Sequence, residues 1–208
     1  MSSSNAIGRI LDAALALIRR KGDAQVTMAQ IARAARVSRQ AVYLHFADRA
    51  DLMVAVARHL DETLGLPAEI RKIADAPTGA AMIEAMVSAQ ARMNPALWAV
   101  ARAMEAVRRT DAAAERAWQD RLHDRLAGCR AIVERLVADG NLRPGIDAAT
   151  AADLLWTGTS LRMWEDLVLE RGWSPGQYEQ HVSRLLLEQL TREGAPSHHL
   201  ESTRAVIQ

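Results

Sequence analysis

Between Ser38 and Phe46 the chain reads Ser-Arg-Gln-Ala-Val-Tyr-Leu-His-Phe, and these residue types at helical spacing suit contact with a nucleic acid. If Ala41, Val42 and Phe46 face a core, then Arg39, Gln40, Tyr43 and Leu44 project outward together. An arginine fork pairs with guanine, a glutamine amide with adenine, and an apolar tip with a thymine methyl, while the hydroxyls of Ser38 and Tyr43 reach phosphate oxygens. A plain surface helix places no particular demand on a tyrosine and a leucine in solvent, so the outward set favours a groove.

No comparable set of residues points to catalysis. The sequence holds no glycine-rich phosphate loop, no paired metal-ligand spacing and no nucleophile beside an evident base. Cys129, the single cysteine, lies between Leu126 and Ile132 in a helical pattern and reads as core. His198-His199 is an adjacent pair without further ligands. No enzyme activity, cofactor or metal is therefore expected. The rival chemistry is a membrane-surface or protein-interaction role for the basic face carrying Arg9, Arg19 and Arg20.

The elements that must hold the outward set follow from hydrophobic period and capping. Ile7, Ile10, Leu11, Ala14, Leu17 and Ile18 recur on one helix face, and Gly22 after Lys21 supplies a C-cap. Thr27 and Gln30 have the form of a capping box, followed by the apolar face Met28, Ile31, Ala32 and Ala35. After the short connection Arg36-Val37, Ser38 caps a second short helix. Two short helices joined by a tight turn describe a helix-turn-helix, and Asp48 caps a fourth helix running to about Thr63. Beyond Gly65 the breakers Pro67, Pro77, Asn94-Pro95, Gly140 to Gly145 and Gly172 to Gly176 leave helices near 78–92, 95–109, 112–139, 147–171 and 175–192.

Composition agrees with an all-α protein, since aromatic residues are 4% of the chain and apolar residues 50%. The formal net charge of +1 hides an asymmetry: residues 1–50 hold eight of the 26 basic residues but only Asp12, Asp23 and Asp48 of the 25 acidic ones. That segment is therefore positive and the remainder negative, which suggests an anionic partner for the N-terminal part. The lone cysteine favours a reducing interior. The apolar run Ala13 to Ile18 is too short for a signal-peptide core and no run approaches a membrane-spanning helix, so a cytoplasmic protein with no membrane partner is expected.

Thr27, Ile31-Ala32, Val37-Ser38, Tyr43, His45-Phe46, Arg49 and Leu52 also share one order and spacing with a known family. In these residues the stretch 9–62 resembles the DNA-binding domain of the TetR family of transcriptional regulators. The resemblance implies phosphate contacts from Thr27, Tyr43, His45 and Arg49, and base-edge contacts from Arg39, Gln40 and Leu44. Two alternatives stay open: Thr27 is a helix cap and nothing else or a phosphate ligand as well, and His45 is a packed helix-end residue or a phosphate ligand. The family commonly has glycine before the Val-Ser pair; here Arg36 either avoids positive φ or costs on the order of 1 kcal/mol. Arg49 stands where the family commonly has lysine, which keeps the charge but presents a planar fork.

The remaining chain resembles the family's ligand-binding and dimerisation domain in its helical layout. Leu154, Leu155, Trp156, Leu161, Met163, Trp164, Leu167 and Val168 wrap more than one face of the expected 147–171 helix. Tyr178, Val182, Leu185, Leu186 and Leu190 stripe the last helix, with Leu187 off the stripe. The resemblance implies a homodimer through a four-helix bundle from these two helices, with Leu161, Trp164, Val182, Leu185 and Leu186 at the interface. Met82, Met86, Trp98, Met104, Trp118 and Trp156 either fill a core or line an adaptable apolar cavity, with Arg102, Glu105 and His123 as candidate polar anchors.

The expectation is thus an all-α chain of about nine helices: a helix-turn-helix DNA-binding domain over 1–50, a ligand-binding and dimerisation domain over 51–194, and a flexible tail over 195–208. It would act as a ligand-responsive transcriptional regulator, a repressor binding a palindromic double-stranded DNA operator as a homodimer and released by a small, largely apolar effector.

Overall fold

The computed structural model describes residues 3–21 and 26–192; Gly22, His198, His199 and the rest of the expected tail lie outside them. The described chain is helical, with one isolated bridge between Leu142 and Thr191 and no strand among the described residues. Helix α1 (Ser3–Lys21), α2 (Met28–Ala35), α3 (Arg39–His45) and α4 (Arg49–Thr63) form the head. The body comprises α5 (Leu66–Ala74), α6 (Gly79–Arg108), α7 (Ala112–Ala138), α8 (Ala148–Gly158), α9 (Leu161–Trp164) and α10 (Pro175–Leu190). No helix among the described residues is long and apolar enough to cross a membrane.

The head folds as its caps dictate. Thr27 Oγ1 accepts from the Gln30 backbone N–H while Gln30 Oε1 accepts from the Thr27 N–H, so two free donors at the start of α2 are satisfied. Ser38 Oγ accepts from Ala41 N–H and Asp48 from Asp51 N–H, starting α3 and α4 in the same way. Ile10, Ala14, Leu17 and Ile18 of α1 meet Ile31, Val42, Phe46, Leu52 and Leu60 in one core, which continues into Ala99, Val100, Ala103 and Met104 of α6. The head is therefore seated on the near half of α6. Between α2 and α3, Arg36 has φ 55° and ψ 44°: of the two alternatives for this turn, positive φ is the one adopted.

The body departs from the expected breaks in three places. Asn94-Pro95 does not end a helix; α6 runs through it for 30 residues, because Met93, Asn94, Ala99 and Val100 are buried on both sides of the missing backbone bond. Pro67 does not break but starts one, standing in the first turn of α5 after Gly65 at φ 69°. The expected 147–171 helix is divided at Thr159-Ser160, where Ser160 Oγ accepts from Met163 N–H and caps α9, which continues into a π-helical turn over Glu165–Glu170. A second core joins Ile83 and Val87 of α6, Ile132 and Leu136 of α7, Leu155 of α8, Trp164, and Tyr178, Val182, Leu186 and Leu190 of α10. Trp98 packs against both cores.

Candidate nucleic-acid interface

Helix α3 is pinned by Val42 and Phe46, both buried, and by half-buried Ala41. That anchoring turns Arg39, Gln40, Tyr43 and Leu44 to solvent, with Leu44 77% and Tyr43 44% exposed. The helix is held in this orientation by its other face, where Val42 and Phe46 are buried. The Arg39 guanidinium lies 5.8 Å from the Tyr43 ring centroid, a cation–π contact that orders both side chains on the exposed surface.

The expected phosphate ligands flank this set. Thr27 and Ser38 are exposed at helix starts, and each hydroxyl accepts from its own helix, which leaves its hydrogen free to donate outward. His45 is half-buried, with its ring edge-on to Phe46 at 6.5 Å between centroids. Arg49 is also half-buried, and its Nε and Nη2 are covered without a hydrogen-bond partner.

The nine residues expected around an effector are not brought together. Met82, Met86 and Trp156 belong to the distal core and Met104 and Trp118 to the core shared with the head, while Trp98 borders both. Arg102 and Glu105 pair with each other at 3.1 Å on the surface, and His123 is exposed. Three of the five expected dimer residues are likewise taken up by the protomer: Trp164, Val182 and Leu186 are at most 2% exposed inside the distal core, so they offer nothing to a second copy. The α10 stripe is narrower than expected, with buried residues four apart at Tyr178, Val182, Leu186 and Leu190, while Leu185 stands off it at 40% exposure. Leu161 is half-buried.

What the sequence reading missed is a polar layer across the body. Arg125 of α7 donates from Nη1 to the Trp156 carbonyl at 2.6 Å and stacks over the Trp156 ring at 4.2 Å. Tyr178 donates to Gln90 Oε1 at 3.3 Å, and Gln90 Nε2 to the Thr159 carbonyl at 2.8 Å. Burial pushes the Tyr178 phenol up to about 12 and the Cys129 thiol above its ordinary value, in both cases against the pull of Arg125; burial also lowers Arg125 itself. The available signal was the pair Gln90 and Asn94, one turn apart on a different face of α6 from the exposed Arg92 between them.

Comparison with known proteins follows the same division. Residues 10–56 match the family model described as "Bacterial regulatory proteins, tetR family". Three solved structures share the fold of the chain: the transcriptional regulator FadR from Bacillus subtilis in complex with stearoyl-CoA (17% identity, TM-score 0.70, covering 87% of this chain and 97% of that one); NalD of Pseudomonas aeruginosa, the secondary repressor of the MexAB-OprM multidrug efflux pump (22%, 0.67, 92% and 100%); and SmeT, the repressor of the Stenotrophomonas maltophilia multidrug efflux pump SmeDEF (19%, 0.64, 93% and 92%). No curated protein matches.

Proposed function

With residues 10–56 belonging to the tetR family of bacterial regulatory proteins, the chain is a transcriptional regulator of that family, and we propose that it is a repressor that binds a palindromic operator as a homodimer and releases it when a small, largely apolar molecule enters the body. The observation that carries this reading is the outward quartet Arg39, Gln40, Tyr43 and Leu44 on a helix anchored from behind. In this reading Arg39, Gln40 and Leu44 read base edges, and Thr27, Ser38, Tyr43, His45 and Arg49 hold the backbone. One seven-residue helix touches few base pairs, so selectivity calls for two copies about one helical turn apart.

Pairing is favoured by apolar side chains that the protomer leaves uncovered. Leu154 of α8 and Leu185 of α10 are both 40% exposed and line shallow surface hollows together with Ile146 and Trp173. These replace Trp164, Val182 and Leu186 as the contacts expected from a second copy. Repression and effector release are supported by the named relatives of like fold, two of which are repressors and one of which holds stearoyl-CoA. An effector acts only through unequal affinity for the DNA-competent and DNA-incompetent forms.

Selection of bound duplexes from a random pool tests the reading: a two-fold palindrome is expected, and recovery of no common sequence would overturn it. On the selected operator, Arg39→Ala or Gln40→Ala is expected to relax preference at particular base pairs. Arg49→Ala is expected to weaken all duplexes alike and to reduce the salt slope by about one phosphate contact. Identical behaviour of Arg39→Ala and Arg49→Ala would remove the division of roles.

A further inference from the structure

We propose that the effector site of the body is built around Arg125 and takes an organic carboxylate with an apolar body, an inference that rests on the reading of the body as an effector domain. Three other partly covered arginines of the body have a carboxylate: Arg108 pairs with Glu115 at 2.9 Å, Arg121 with Asp61 at 2.6 Å and Arg135 with Asp139 at 2.8 Å. Arg125 has none among the described residues; it meets only the Trp156 carbonyl and indole. A guanidinium stays charged in any protein environment, and this half-buried one has lost part of its hydration with no carboxylate among the described residues to answer its charge. Its neighbours do not supply the charge, since burial raises both Cys129 and Tyr178 and keeps them neutral at ordinary pH.

The polar atoms near Arg125 are unbalanced in the same direction. Helices α6 and α7 run antiparallel with Gly79 against Leu136, and equal steps along both put Gln90 level with Arg125 and Asn94 one turn further. Among the described residues, Asn94 Nδ2, in a side chain 5% exposed, has no acceptor, and neither has the indole N–H of Trp156. Every unmet group is a donor, and the one charge is positive. What answers several donors and a guanidinium together is an oxyanion, and the planar two-oxygen edge of a carboxylate matches the arginine fork. The half-buried indole of Trp156 offers apolar surroundings for the rest of the molecule.

The test uses the full chain and matched probes: benzoate, 1-naphthoate and decanoate, each against the alcohol of the same skeleton, read by tryptophan fluorescence and calorimetry. At least one carboxylate is expected to bind at least tenfold more tightly than its alcohol. R125Q is expected to abolish that preference, and R125K to retain part of it. If no carboxylate binds, if the alcohols bind equally well, or if R125Q keeps the preference, the proposal is overturned; the wild-type comparison decides this even if R125Q does not fold. Operator binding by the same preparations is measured separately. Its loss would strike the regulator reading, whereas a wrong probe preference with intact operator binding would strike only the Arg125 assignment.

Discussion

Arg36 is the one non-glycine residue with positive φ among those described, at φ 55° and ψ 44°, and its replacement by glycine is expected to stabilise the protein. A side chain in the left-handed region costs roughly 1–2 kcal/mol through the crowding of its Cβ. Glycine removes that cost but returns about 0.5–1 kcal/mol through the greater freedom of the unfolded chain. Nothing else is lost among the described residues: the Arg36 side chain is exposed and makes no hydrogen bond or ion pair with them, and the turn is closed by backbone bonds from Arg36 N–H to Arg33 and from Val37 N–H to Ala32. The net gain for Arg36→Gly is therefore about 0.5–1 kcal/mol, a rise in Tm of about 1–4 °C for a chain of this size. Urea denaturation of the wild type, Arg36→Gly and Arg36→Ala reads it directly. Alanine keeps the Cβ and is expected to gain nothing. Equal stability of the glycine and alanine variants, or a loss in Arg36→Gly, would show that backbone strain is not what the turn carries.

Three further outcomes follow from contacts in the body. A Cβ at Gly79 would stand 2.7 Å from the Leu136 backbone N, whereas one at Gly158 would meet the movable Leu186 Cδ2 at 2.7 Å; Gly79→Ala is expected to cost about 1–3 kcal/mol and Gly158→Ala less than that, by the same denaturation assay, and equal costs would refute the distinction. Asp139 accepts from the Gly79 N–H at 2.7 Å and from Arg135 at 2.8 Å, and the first of these most of all holds its carboxyl below the usual value of 3.8. Its contribution is present above the unfolded value and lost as pH falls through the lower folded one, so stability measured from pH 6 downward is expected to drop more steeply below about pH 4 in the wild type than in Asp139→Asn. Asp61→Ala and Arg121→Ala are each expected to cost about 1–2 kcal/mol, and the double variant hardly more than either, because both delete one two-pronged ion pair; strict additivity in a double-mutant cycle would contradict this.

The head was legible because its instructions are local. Capping residues at Thr27, Ser38 and Asp48 and apolar repeats three and four apart act within one or two turns, and each appears where the pattern places it. Arg36 shows the boundary of that legibility: the pattern names a turn, but whether the chain accepts a strained arginine there depends on the helices packed on either side. In the body, distant contacts decide. Pro95 reads as a break until burial of Asn94 and Ala99 outweighs one missing bond, and α5 escaped notice because none of its residues is fully buried to set a period. The polar layer was hidden for the same reason, since Arg125 meets Trp156 across 31 residues and Gln90 meets Tyr178 across 88. The candidate anchors Arg102 and Glu105 were credible by type, yet they satisfy each other.

These placements give α7 two attachments on one stretch. Arg121 grips Asp61 of the head's α4 with both prongs, and Arg125, four residues on and so one turn away on the same face, lies in the polar layer of the body. A rigid helix transmits displacement along its length at little cost, whereas the surface pair Arg102 and Glu105 is tied to neither core. A ligand that repositions Arg125 therefore acts on the helix to which the head is fastened, and α4 in turn packs on α1 beneath the DNA-facing elements. The coupling needs no long chain of small shifts. It needs only that the ligand prefer one setting of α7 over another, because a molecule bound equally well by both would leave the head where it stands.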